Sequence, residues 1–205
     1  MNKTVLWVIG GVIGLGLIVG LAFSIANEEE IDASTALGEV TIEGDDLPFL
    51  ADTTVADPAV GVTAPTVSGA DWNEIGSSIA ADGRPKIVLF LAHWCPHCQN
   101  EVPVVQNWID TGGLPDGVDL YSITVLSDPL RPNWPSQDWL EDEGWTVPVI
   151  MDDAESSAVL AYGMRGTPFY IVLDGDNTTL ARFSGEVGVN GLRTMVQIAQ
   201  RSIES

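Results

Sequence analysis

The sequence predicts an α/β domain, a sheet sandwiched by helices, behind an N-terminal transmembrane helix. Three observations carry that reading. Val5–Ala26 is an uncharged run of 22 residues. From Lys86 onward, apolar runs of strand length alternate with segments of helical period, the pattern of a sheet covered by helices. Near the C-terminus "FYIVLD" and "TLARFSG" flank "GDNT", so a hairpin closes the sheet.

Taken in order, residues 1–4 form a short cytoplasmic N-terminus and residues 5–26 the span. At 1.5 Å per helical residue such a run crosses a bilayer core about 30 Å thick. Lys3 precedes it and Glu28, Glu29 and Glu30 follow, which favours the remaining chain lying outside. A cleaved signal peptide is the rival, with Ser24-Ile25-Ala26 as its site, but the apolar core exceeds the ~7–15 residues usual there. Residues 27–57 are acidic and lack Lys and Arg, so they read as a linker, with "GEVTIEG" as a short strand at most.

The folded domain is expected over 58–205. Val60–Trp72 suits a hairpin or edge strand, and Lys86–Ala92 a strand covered on both faces. A helix starts at Cys95 or Pro96, where proline is favoured, and Pro103 should kink it. Val118–Leu126 is the next strand, and "PSQDWLEDEG" a short helix capped by Ser136. "TVPVIMD" is a strand and "AESSAVLAYG" a helix ended by Gly163. The last helix opens at Asn190, with Leu192, Met195, Val196, Ala199 and Ile203 on one face.

Charge excludes one class of partner. With 29 acids against 8 bases the net charge is −21, which argues against nucleic acid, whose phosphates need Lys and Arg. Chemistry concentrates in "FLAHWCPHCQNEVP", which holds both cysteines of the chain, Cys95 and Cys98. A structural disulfide there would close a tiny loop and remove little chain entropy. A metal site has His93, Cys95, His97 and Cys98 to draw on, but no second ligand pair elsewhere. Covalent haem needs histidine directly after the second cysteine, where Gln99 stands. Redox catalysis fits best and needs no cofactor. A helix N-terminus offers unpaired N–H groups and partial positive charge to a Cys95 thiolate, while Cys98, one turn on, resolves the mixed disulfide. His97 adds a polar or positive group beside the thiolate, which favours the reduced form and hence an oxidant.

The segment resembles the active site of the thioredoxin-like superfamily, and within it the membrane-anchored TlpA/ResA-type thiol–disulfide oxidoreductases. Their W-C-x-x-C-x-x-E-x-P pattern is filled by Trp94, Cys95, Cys98, Glu101 and Pro103. "GMRGTPFYIVLD" is similar to the family's second landmark, a cis-proline ahead of a strand, here Thr167-Pro168. The resemblance covers about Val60 to Ile203. It implies the thioredoxin fold, a central mixed β-sheet flanked by helices. It also implies that Pro168 packs opposite Cys95, that Thr167, Trp94 and His97 meet substrate, and that Glu101 serves Cys98 as proton acceptor or modulator. Protein thiols or disulfides become the substrates, with a redox partner in the membrane.

Two departures stand out. Leu89 replaces the buried aspartate of thioredoxin proper, and Pro96-His97 resembles the oxidising DsbA type rather than reductive TlpA-type proteins. Scaffold and dipeptide therefore point in opposite redox directions. An oxidant of secreted proteins, a reductant in cytochrome c maturation, and a non-catalytic tethered binding module are the alternatives. His93, at a bare loop position, reads as a surface residue bordering the site, with tuning of Cys95 as the alternative. Trp72, Trp108, Trp134, Trp139 and Trp145 read as core or groove lining. Leu126–Ser136 reads as a plain loop or a border of the substrate groove, and Asp174 and Asp176 as turn residues.

Overall fold

Strand β4 (Lys86–Leu91) is apolar from Ile87 onward because the fold covers both of its faces. Ile87, Leu89 and Leu91 point into one core cluster, and Val88 and Phe90 into a second on the opposite side. The computed structural model that shows this describes residues 37–51 and 55–204. β4 pairs in parallel with β5 (Asp119–Thr124) and antiparallel with β7 (Phe169–Leu173). β6 (Val149–Met151) and β8 (Thr179–Ser184) complete a five-stranded mixed sheet of order β6-β5-β4-β7-β8. The hairpin expected around "GDNT" joins β7 to β8, with Asp174 Oδ1 accepting the N–H groups of Asp176 and Thr178.

Two long helices cover the first face. α1 (Pro96–Asp110) runs through Pro103, which lies inside it, and buries Val102, Val105 and Trp108. α4 (Gly188–Ile203) buries Leu192, Met195, Val196 and Ala199. It opens two residues before the expected Asn190, for a reason that lies in the site. α2 (Ser136–Asp142) adds Trp139 and Leu140 to the same cluster. Its N-cap is Pro135, so Ser136 is the first helical residue rather than the cap. α3 (Ser157–Ala161) lies over the second core and ends at Gly163, whose φ of 58° suits the left-handed helix stop. Of the tryptophans, Trp108 and Trp139 are core, and Trp72 and Trp145 pack partly buried against it.

Of the stretch expected to be linker, residues 38–51 and 55–57 are part of the folded unit. β1 (Thr41–Glu43) pairs antiparallel with β2 (Thr66–Ala70), which pairs with β3 (Gly76–Ile79) in a second, three-stranded sheet. Leu47 and Leu50 sink into the second core, and their N–H groups bond to the carbonyls of Ala161 and Gly163. Asp57 pairs with Arg182 of β8 through both carboxylate oxygens. Another Arg182 nitrogen reaches the carbonyls of Pro48 and Tyr162 at 2.9 Å. Composition hides this because the apolar anchors of the arm are few and spaced among acids. Among the described residues no helix is long and apolar enough to cross a membrane. The span expected over residues 5–26 lies outside them.

The Arg182 side chain has no solvent contact, so its partner matters. Burial alone would raise the Asp57 pKa, but the Arg182 hydrogen bonds and charge and the Ala59 N–H outweigh it and hold the carboxyl below its usual value. Its stabilising contribution is therefore present above the unfolded carboxyl value of ~3.9 and is lost as pH falls through the lowered folded value. Asp57→Ala leaves a buried guanidinium with only carbonyl partners, an expected loss of about 3 kcal/mol in urea unfolding at neutral pH.

Candidate active site

β4 ends at Leu91, and the chain turns through Ala92–Trp94 with the Cys95 N–H bonded to the Ala92 carbonyl at 3.0 Å. Cys95 is the N-cap of α1, extended at φ −77° and ψ 118°, and its side chain makes no cap hydrogen bond. The sulfur therefore sits at the positive end of a four-turn helix without satisfying its amides in the usual capping manner. Both thiols are free. Cys95 keeps 6% of its surface exposed and Cys98 none.

That difference in setting separates their acidities. Burial raises the Cys95 pKa, but the Thr167 side chain, the Cys98 N–H and thiol, and the His97 N–H stabilise the thiolate and bring it below the ordinary value. Burial pushes the Cys98 thiol up to about 12, against the Ala92 backbone, and the nearby Cys95 charge adds to the rise. The outer sulfur is thus the more acidic of the pair and the inner one the less acidic.

The expected second landmark lies alongside. The Thr167–Pro168 peptide is cis, Pro168 is buried, and the Thr167 carbonyl accepts from Cys95 Sγ at 3.4 Å. Pro168 carries no N–H, so beside the sulfur this segment offers no backbone donor at residue 168. Its own carbonyl accepts from the Gly185 N–H at 2.8 Å, tying this segment to the end of β8.

Glu101 lies beneath, 2% exposed, on the buried face of α1. Its Oε1 accepts from the Tyr170 hydroxyl at 2.8 Å and from the Val187 and Gly188 N–H groups at 3.0 Å each. These amides are the first of α4, which explains why that helix opens at Gly188: a carboxylate from α1 takes the place of a side-chain cap. On the outer side, Glu186 Oε1 accepts from His97 Nδ1 at 2.5 Å and Asn100 Nδ2 at 3.2 Å. The His97 bond, then that from Asn100, hold the Glu186 carboxyl below its ordinary value. His97 is thus exposed but engaged.

His93 corrects the expectation of a surface residue, since it is fully buried. Nδ1 donates to the Pro132 carbonyl at 2.6 Å and Nε2 accepts from the Asp128 N–H at 3.2 Å, so the ring is neutral. Its carbonyl receives Gln99 and Asn133 side-chain N–H groups, and its ring meets Trp134 edge to face at 5.6 Å between centroids. The loop from Leu126 to Pro135 is therefore pinned against the start of α1. Trp94 joins it, donating from Nε1 to the Leu126 carbonyl at 2.8 Å beneath the Arg131 guanidinium, 4.6 Å above its ring. This loop borders the site, and its Asn133 and Trp134, with Gln99, line a cleft of about 450 Å³ against α2.

Every residue expected at the site thus gathers around the start of α1. Sequence reasoning missed Tyr170, Glu186 and the clamp made by His93. Tyr170 reads as one more apolar strand residue, and Glu186 is one acid among 29.

The Redoxin family model matches residues 59–196. The chain is 25% identical over 114 residues to the thiol:disulfide interchange protein DsbE of Pasteurella multocida, covering 56% of this chain and 58% of that one. It is 30% identical over 104 residues to the thiol:disulfide interchange protein HelX of Rhodobacter capsulatus, covering 51% and 54%. The chain thus spans little more than half the length of these curated relatives. Among solved structures, StoA from Bacillus subtilis matches with a TM-score of 0.56 at 20% identity, over 67% of this chain and 98% of that one. A thiol:disulfide interchange protein of the thioredoxin family from Chlorobium tepidum matches with a TM-score of 0.53 at 25% identity, over 69% and 97%.

Two outcomes check the site. At neutral pH, iodoacetamide should modify Cys95 well before Cys98, as read by peptide mass mapping; preferential labelling of Cys98 contradicts the assignment. Burial pushes the His93 pKa below its ordinary value, outweighing the Pro132 carbonyl and the Asp128 charge. The unfolded chain therefore takes up this proton first, and stability should decline as pH falls below ~6.5. His93→Leu should remove that component, lower stability by about 1–3 kcal/mol, and speed proteolysis within residues 126–135.

Proposed function

The chain belongs to the Redoxin family, and from that premise we propose that it is a thiol–disulfide oxidoreductase anchored in the cell membrane by residues 5–26, its domain on the extracytoplasmic side. The observation that carries the proposal is the asymmetry of the cysteine pair. Cys95 sits at a helix tip, 6% exposed and with a lowered pKa, while Cys98 has no exposed surface and a raised one, and a cis-proline stands beside them. The Cys95 thiolate attacks one sulfur of a substrate disulfide. A Cys95–substrate disulfide forms and the other substrate sulfur leaves as a thiolate. Cys98, once deprotonated, attacks the Cys95 sulfur, releasing the second substrate thiolate and leaving the Cys95–Cys98 disulfide. The substrate has gained two electrons; run in reverse, the same steps oxidise substrate thiols. Trp94, His97 and Thr167 border the substrate, and Pro168 closes the wall opposite Cys95.

The anchor is supported by the uncharged run behind Lys3 and ahead of Glu28, Glu29 and Glu30. As to direction, the engagement of His97 favours the reductant. Its Nδ1 is taken by Glu186, so the imidazole offers less net positive potential to the Cys95 thiolate than a free histidine would. In that reading a redox partner in the membrane re-reduces the pair, and disulfides formed by apocytochrome cysteines or similar protein disulfides are the substrates, as in cytochrome c maturation. The names of the interchange proteins it resembles accord with the exchange chemistry.

The reduction potential of the Cys95–Cys98 couple in the full chain, measured against glutathione or dithiothreitol buffers, tests the direction. A value near or below about −270 mV supports the reductant, and one near about −120 mV assigns the oxidant. Cys95→Ser should abolish catalysed reduction of a protein disulfide such as that of insulin. Retained function in that variant would instead favour a non-catalytic binding module.

A further inference from the structure

Cys98 presents a chemical difficulty. With its thiol pushed up to about 12 by burial in the core beside α1, Cys98 holds its proton at neutral pH. The resolving step therefore needs a base held at a fixed place. Glu101 is the carboxylate on the same buried helix face, one turn further on. A buried carboxylate is free to rotate between useful and useless orientations unless something fixes it.

The hydrogen bonds are unevenly shared. Three donors, from Tyr170, Val187 and Gly188, converge on Oε1. Among the described residues, Oε2 receives only a longer contact of 3.4 Å from the Gly188 N–H. One oxygen is saturated and the other retains accepting capacity. Of the three donors, Tyr170 alone is a side chain. It lies fully buried in β7, two residues beyond Pro168, in the core cluster that includes Cys98. Burial, then the Glu101 charge and hydrogen bond and the Cys98 charge, push its own ionisation well above the ordinary range. It is therefore a donor here and does not itself take up the thiol proton.

We infer that Tyr170 is a positioning residue for the resolving step: its hydroxyl, with the Val187 and Gly188 amides, fixes Glu101 through Oε1 and so keeps Oε2 for the Cys98 proton. The inference rests on the thiol–disulfide reading above. The step balances as follows. The Cys98 proton passes to Glu101 Oε2, the Cys98 sulfur bonds to the Cys95 sulfur, and the bond from Cys95 to the substrate sulfur breaks. The substrate departs as a thiolate with the electron pair, and Glu101 later returns its proton to solvent or to the departing thiolate.

Ellman's reagent separates the two stages in the full chain. Attack by Cys95 releases the first thionitrobenzoate, and attack by Cys98 on the resulting mixed disulfide releases the second. In Tyr170→Phe the first release should be unchanged, while the second slows about 10-fold at pH 7 and its pH midpoint moves upward. Glu101→Gln should slow the second release at least as much, and the double variant should be no slower than Glu101→Gln alone, because one residue acts through the other. An unchanged second phase in Tyr170→Phe overturns the inference. So do losses that multiply in the double variant, or a fall in both phases together, which would mark a packing role. A native chain that releases no second thionitrobenzoate sinks the thiol–disulfide reading itself, a result separate from any of these.

Discussion

The burial of β4 on both faces fixes the end of the strand, and with it the place where α1 can begin. Side chains of alternate parity lock into two separate cores, so a shift by one residue would exchange every contact on both sides. The turn after Leu91 is therefore rigid, and Cys95 arrives at the helix tip with its sulfur directed toward the Thr167 carbonyl. The outer sulfur takes its acidity from the Thr167 side chain together with helix amides and the Cys98 thiol, the inner one its resistance to ionisation chiefly from the burial that the sheet requires in any case.

The start of α4 is the second organising point, and it works in two directions. Glu186 faces outward and takes His97 and Asn100, while the next two amides face inward and take Glu101. Three consecutive residues thus grip the first two turns of α1 from both sides. The buried Glu101 carboxyl is met there by oriented N–H and O–H dipoles. It also places an acidic residue beside the histidine of the cysteine motif, so the dipeptide alone is an incomplete guide to redox direction.

Much of this was legible in the sequence, because it depends on local pattern. The continuous apolar run gave away β4, proline after cysteine marked the start of α1, and Thr167-Pro168 ahead of an apolar run marked the second wall. What stayed hidden depends on contacts distant along the chain. His93 is buried only because the loop bearing Asp128 and Pro132 folds over it. Tyr170 is set apart from its strand neighbours only by its hydroxyl finding Glu101. The arm from Gly38 to Asp57 escaped notice because a three-residue strand and two leucines leave no periodic trace, and its strongest attachment is an arginine far along the chain.

That arm has a mechanical consequence. β1 is laced to β2 along the second sheet, and the segment behind it is moored to α3 and β8 by Leu47, Leu50 and Asp57. A tug on the chain from its N-terminal side is therefore spent in shearing these attachments on the Phe90 side of the central sheet. The cysteine pair belongs to the opposite side with α1 and α4, across the sheet from those attachments.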